Sequence, residues 1–343
     1  MKKTILLLVL TLVASVAVAQ KPYTVAFYNL ENLFDLYDDP DTHDEEFLPD
    51  GEKQWNQYKY DCKMKNIERV LFDIAAIQKE YPIVIGVSEI ENRLVLEDVV
   101  AQPKLAPAKY RICHYDSPDA RGVDVAFLYR ADVFKMEGSD NIKLICPENP
   151  KLRTRDLVVM WGTIEDEPFY FLVSHWPSRR GGQYASAYLR EACARQIKGI
   201  KDSLIAQNPA TKVVVMGDFN DDATDDSVVK TMGAKGKVKE LESGDFFNPF
   251  NAMLRAGLGT LAYQDSWNLF DNICVTENLV TGSTGELKLQ KAKKSKFYGN
   301  IFSRPYLIQQ EGQYKGYPLR TFVGNNFQNG FSDHLPVYIY IGK

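Results

Sequence analysis

The chain has 343 residues, with 41 lysines and arginines against 45 aspartates and glutamates, a net charge of −4. Hydrophobic residues make up 45% and aromatics 12%, which supplies a large core and excludes a disordered or collagen-like chain. The acidic balance argues against a protein that coats duplex DNA by charge alone, since such binding rests on Lys and Arg neutralising phosphates. It leaves room for a nuclease, because carboxylates can hold a cation that inverts the local field.

Residues 1–20 read as a secretory signal. Lys2 and Lys3 form the basic start, Ile5 to Leu10 open the apolar stretch, and Ala17-Val18-Ala19 make a small-residue cleavage site before Gln20. Removal takes two lysines and no acid, leaving 39 basic and 45 acidic residues and a charge of −6. No cysteine follows the apolar run to accept a lipid anchor, and no later segment has the uninterrupted apolar run of a membrane helix. The expectation is an exported protein, periplasmic or secreted, a monomer with one domain over residues 21–343.

Alternating or β-branched runs predict strands at 23–28, 83–87, 123–129, 157–164, 169–174, 213–216, 272–276 and 337–341. Two amphipathic segments read as helices. Residues 63–80 set Ile67, Val70, Leu71, Ile74 and Ile77 on one face, and 188–205 do so with Leu189, Ala192, Ile197, Ile200 and Leu204. Many strands with few long helices depart from a βαβ rhythm. They predict an α/β (α+β) chain with two sheets face to face and helices outside. Stretches 35–56, 233–259 and 281–329 read as long loops of the kind that line binding sites. Cys62, Cys113, Cys146, Cys193 and Cys274 form no C-x-x-C pair, which argues against a zinc ribbon or a thioredoxin-like motif.

One pattern repeats along the chain: an apolar strand delivers carboxylates, amides or a histidine at its end. VAFYN places Asn29, followed by Glu31; IVIGVSE places Glu89; FYFLVSH places His175; VVVMGDFND places Asp218 and Asn220. Asp271 precedes one strand, and Asp333 and His334 precede the last. Where strand ends of two packed sheets share a rim, these distant residues share a pocket. Hard oxygen ligands with no cysteine and few histidines suit Mg²⁺ or Mn²⁺ better than zinc, and the chemistry they favour is metal-assisted hydrolysis. P-loop, H-E-x-x-H and G-x-S-x-G motifs are absent. The segment from Asp218 opens like a calcium loop, but Ala223 and Val229 stand where glycine and glutamate are required. Arg121 and Arg179 flank these segments, and their guanidinium forks suit bidentate phosphate contact.

The blocks FYNLEN, SEIEN, RGVDVAFLYR, SHWPSRRGG, GDFND, YQDSWNLFDNICV and SDHLPV, in this order, resemble the endonuclease/exonuclease/phosphatase superfamily with its deoxyribonuclease-I-like fold, and most closely its exported bacterial branch. The resemblance implies a four-layer sandwich, two mostly antiparallel β-sheets flanked by helices, with the active site at one rim. It implies Glu89 as principal metal ligand, helped by Glu31 and Asp333, and Asn29 as a supporting amide. By the same resemblance Asp218 orients or deprotonates the attacking water, and Asn220 contacts the phosphate. His175 binds the scissile phosphate or protonates the leaving oxygen, and His334, hydrogen-bonded by Asp271, is the second histidine. The base is Asp218 or His334. The implied reaction is in-line displacement at phosphorus with Mg²⁺ or Mn²⁺. The expected activity is phosphodiester hydrolysis on a phosphate-ester substrate such as DNA or RNA. Two alternatives are hydrolysis of monoesters or small or lipid-derived phosphates, and a non-catalytic binding protein that keeps the sandwich.

Overall fold

The computed structural model describes residues 21–343, so the expected signal at 1–20 lies outside the described residues. Four strands come first, β1 (Tyr23–Leu33), β2 (Val84–Ile90), β3 (Arg111–His114) and β4 (Asp124–Tyr129), with helices α1 (Gln57–Gln78) and α2 (Arg93–Ala101) among them. β5 (Lys135–Ile142), β6 (Leu157–Ile164), β7 (Glu167–His175), helix α3 (Ala187–Gln207) and β8 (Lys212–Asp218) follow. Short pieces complete the chain. They are β9 (Phe246–Phe247), α4 (Asn251–Leu254), a hairpin of β10 (Leu261–Tyr263) and β11 (Ser266–Asn268), β12 (Asp271–Thr276) and α5 (Asn278–Thr281). Then come β13 (Lys288–Gln290), β14 (Gly299–Ile301), a hairpin of β15 (Phe322–Val323) and β16 (Asn326–Phe327), and β17 (Val337–Gly342).

One sheet has the order β13-β17-β1-β2-β4-β3, with β14 also on β17; the other runs β5-β6-β7-β8-β12-β9. Each contains a single parallel pair, β1–β2 and β7–β8, and is otherwise antiparallel, as expected. Period-two alternation splits each strand between two faces. Val25 and Phe27 of β1, Val337, Ile339 and Ile341 of β17, Phe169, Phe171 and Val173 of β7 and Val214 and Met216 of β8 fill the space between the sheets. Ala26, Tyr28, Tyr338 and Tyr340 face the other way, onto Met64, Ile67, Leu71 and Ile74 of α1. Leu172, Val213, Val215 and Cys274 pack on Ala194 and Ile197 of α3. Three cores between four layers are the sandwich.

Helix α1 begins six residues before the predicted 63, where Asn56 caps it by accepting from the Lys59 amide (3.2 Å). Its first turn, Gln57-Tyr58-Lys59, lacks the apolar periodicity that reveals the rest. Ile77, assigned to the buried face, is 38% exposed near the end of α1. β5 and α2 were not anticipated: β5 is an edge strand with five of its eight residues polar, and α2 spans nine residues. No helix among the described residues is long and apolar enough to cross a membrane. All five cysteines are free thiols.

Candidate active site

The topology carries the polar strand ends to one rim. In the parallel pairs, Asn29 stands level with Ser88 and His175 with Asp218, while antiparallel β12 sets Asp271 opposite Asp218. A Cβ on Gly217 would collide with the Ser174 carbonyl, so a glycine lets β8 lie this close to β7 just before Asp218. The two sheets meet through Asn29, whose Nδ2 donates to Asp218 Oδ2 at 3.1 Å.

Asp218 Oδ2 is the centre of the arrangement. His175 Nε2 lies 3.6 Å from it and His334 Nε2 3.7 Å. His334 Nδ1 donates to Asp271 Oδ2 (2.8 Å), and the same oxygen accepts from Thr260 Oγ1 (2.5 Å). The hydroxyl of Ser332 donates to the Asn29 carbonyl (2.8 Å) and accepts from the His334 amide (3.0 Å), which pins the start of β17 to the end of β1. The two histidines are pushed in opposite directions. Burial, then the charges of Arg155 and Arg121, hold His175 well below the ordinary imidazole range. Burial works against the charge on His334 too, but the carboxylates of Asp271 and Asp218 outweigh it and hold that imidazolium well above its usual range. Burial pushes Asp218 up to about 6 against the pull of His334. Titratable neighbours driven apart in this way are the pattern that acid–base chemistry needs.

Glu89 accepts from the Asn32 amide (3.0 Å) and lies 3.7 Å from Arg121 Nη2 and 3.8 Å from His175 Nε2. Glu31, Asn32, Glu89 and Asn220 all have φ near +50°, a left-handed conformation that non-glycine residues rarely adopt. Such strain concentrates where surrounding structure fixes a functional side chain. Glu31 accepts from the Thr321 amide (2.7 Å) and lies 3.4 Å from Arg320 and 3.9 Å from buried Lys63. Burial, then the Asp333 carboxylate, pushes Glu31 up to about 7 despite these cations. Asp333 is 4.0 Å from His334 Nε2 and paired with Arg320 at 2.5 Å. Burial raises its pKa, but the charges of His334 and Arg320 prevail and hold it below the usual carboxylate range.

Asn220 donates through its amide to Asp218 Oδ1 (2.9 Å) and through Nδ2 to the Trp176 carbonyl (2.9 Å), which places it beside Asp218. Arg121 is 47% exposed next to Glu89, where a substrate phosphate can reach it. Arg179 differs from expectation. Its guanidinium is bound to Asp225 (2.6 Å) and the Asn220 carbonyl (2.8 Å), with Asp221 at 3.2 Å, so it braces the GDFND turn instead of facing substrate.

The sequence reading missed Arg320, Lys63, Arg155 and Thr260. Lys63 left one signal, a lysine heading the apolar stripe Ile67, Val70, Leu71 and Ile74 of α1. Arg155 binds Asp119 (2.9 Å) and the carbonyls of His175 (3.2 Å) and Trp176 (2.9 Å), all supplied by other segments. Nothing near it, Thr260 or Arg320 in sequence announces those partners.

The donor set is one that a hard divalent cation accepts, the carboxylate oxygens of Glu89, Glu31 and Asp333 with Asp218 beside them, and burial is what lifts the pKa values of Glu31 and Asp218. Among the described residues, the trio whose ligand atoms all lie within 4.8 Å of one another is a different one, His114, Asp116 and Asp124. The active-site carboxylates are more widely spaced, which suits an ion that keeps waters and substrate oxygens in its shell.

The sequence matches the Endonuclease/Exonuclease/phosphatase family over residues 24–343. No curated protein matches it significantly. Among solved structures, TDP2 from D. rerio, complexed with single-strand DNA product, is similar at 13% identity over 94% of this chain and 100% of that one, with a TM-score of 0.55. The mannosyl-6-phosphatase of Bacteroides thetaiotaomicron is similar at 15% identity over 93% and 99%, with a TM-score of 0.54. The catalytic domain of human Nocturnin, with bound sulfate, is similar at 13% identity over 94% and 96%, with a TM-score of 0.50. These likenesses are of fold. The chain belongs to the endonuclease/exonuclease/phosphatase family, enzymes that use divalent metals to hydrolyse phosphoric esters of nucleic acid or smaller substrates.

Proposed function

We propose that the protein is an exported Mg²⁺- or Mn²⁺-dependent phosphodiesterase that hydrolyses nucleic acid, with residues 21–343 as one catalytic domain. The observation that carries this reading is the grouping of Asn29, His175 and His334 around one oxygen of Asp218. Export rests on the signal-like sequence at 1–20.

In this reading Glu89 would hold the ion, with Glu31 and Asp333 beside it, and the chemistry such an ion would supply is polarisation of a phosphoryl oxygen. His334 is kept protonated by Asp271 and Asp218, so it stabilises charge on the phosphate or the leaving oxygen. Asp218 then serves as the group that orients and deprotonates water, since a carboxyl titrating at about 6 is ionised at neutral pH and still basic. His175, held neutral, offers a hydrogen bond to the scissile phosphate. Arg121 and Asn220 contact phosphate oxygens, and Asn29 keeps Asp218 in place. A phosphomonoesterase is the second reading. Its support is the pair of half-exposed guanidiniums, Arg121 and Arg320, beside the carboxylates, since a terminal phosphate dianion profits from both.

The test is turnover of DNA, RNA, bis-p-nitrophenyl phosphate and p-nitrophenyl phosphate with Mg²⁺ and with EDTA. Metal-dependent cleavage of the diesters supports the first reading, and exclusive cleavage of the monoester the second. Turnover that persists in EDTA, or in Asp218→Ala and His334→Ala, defeats both.

A further inference from the structure

A cleft of about 390 Å³ runs from the active-site carboxylates toward the 35–56 loop. Glu31, Arg121 and Arg320 line the part that touches the site; Phe47, Lys53 and Phe322 line the rest. Its flanks come from segments far apart in sequence, and those segments are fastened together. Lys53 Nζ donates to the Gly324 carbonyl (2.9 Å) and to Asn325 Oδ1 (3.0 Å), and pairs with Glu46 at 2.8 Å. Phe47 meets Phe322 edge-on with centroids 6.3 Å apart, and the Lys53 ammonium sits 5.6 Å over the Phe322 ring. Phe34 stacks on Phe47 at 4.6 Å and anchors this wall to the segment just after β1.

Loops that merely flank a groove can part around a polymer, whereas loops bonded to each other resist parting. The volume is at the lower end of pockets that take one small organic unit. Phe47 supplies apolar surface for a base or sugar, with the ring of Phe322 buried behind it, and Arg121 and Arg320, 47% and 44% exposed, a fork for an adjoining phosphate. Charge points the same way. A chain at −6 without its signal has no net excess of Lys and Arg with which to neutralise many consecutive phosphates.

We infer that this cleft is a blind subsite for a single terminal nucleotide unit, so the enzyme cleaves at the ends of nucleic acid strands and not at internal bonds. The inference rests on the phosphodiesterase reading above and narrows its substrate.

The experiment compares initial rates on a linear single-stranded oligodeoxynucleotide and on the same sequence as a covalently closed circle, with Mg²⁺. Bis-p-nitrophenyl phosphate serves as control for the chemistry. The expected result is stepwise shortening of the linear strand, with the circle slower by at least about 100-fold, a discrimination within the range that substrate pockets reach. Opening of the circle at a rate within a few-fold of the linear strand overturns the inference and leaves the phosphodiesterase reading standing. Loss of turnover on all three, bis-p-nitrophenyl phosphate included, overturns both. Lys53→Ala, which unfastens the two loops, is expected to reduce the linear-to-circle preference by about tenfold or more. A preference unchanged in that variant contradicts the wall.

Discussion

Asp271 touches no substrate in this account, yet it decides what His334 can do. Its Oδ2 accepts from both His334 Nδ1 and Thr260, and its charge keeps the imidazole protonated. Asp271→Asn keeps the shape and removes the charge; it is expected to lower kcat by about 10–100-fold with little change in KM, the usual cost of losing a partner that orients a histidine. Equal activity in that variant would remove His334 from the chemistry. Glu31 and Asp218 give a pH prediction. Both hold their protons to higher pH in the fold than an unfolded carboxyl does, so their contribution favours the metal-free fold in acid and is lost as pH rises through about 6 and about 7. A divalent ion requires both ionised, so its stabilisation grows across the same window. The rise in Tm on adding Mg²⁺ should therefore be larger at pH 8 than at pH 5.5, and the reverse order would contradict the assignment of these carboxylates.

Strands were legible where they are buried on both faces. β8, with Val213, Val214 and Val215 in a row, and β17, with alternating inward aliphatics and outward tyrosines, could be read directly. β1 was read as ending at Tyr28, because Asn29, Glu31 and Asn32 look like loop residues. The structure continues it to Leu33 through a bulge, and the polar residues there serve the site instead of ending the strand. Of the site itself, the residues at the ends of apolar runs were legible. Arg320, Lys63 and Arg155 were not, because their partners are fixed by tertiary pairing across as many as 289 positions. Two stability predictions belong here. Asn56→Ala removes the α1 cap and should cost about 1 kcal/mol in denaturant unfolding, with no effect on activity under conditions where the protein stays folded. Gly217→Ala drives a methyl group against the Ser174 carbonyl and should cost about 1–3 kcal/mol. Because it also displaces Asp218, activity should fall more than the folded fraction does.

The whole molecule works because two sheets are held in one register by a shared core. Val25, Phe27, Val337 and Ile339 interlock with Phe171, Val214 and Met216, and the rim they define is where Asn29 reaches Asp218. The covalent frame contributes nothing extra: with every cysteine a free thiol, dithiothreitol should leave the Tm unchanged, and a fall would reveal a bridge. The central claim is that side chains from both sheets form one catalytic unit. Its most direct test is a double-mutant comparison of kcat/KM on bis-p-nitrophenyl phosphate for Glu89→Gln, from the first sheet, and Asp218→Asn, from the second. Groups that act as a unit are strongly non-additive, so each single change should cost about 10³-fold or more and the pair little beyond the worse single. Losses that multiply in the double variant would contradict a single centre.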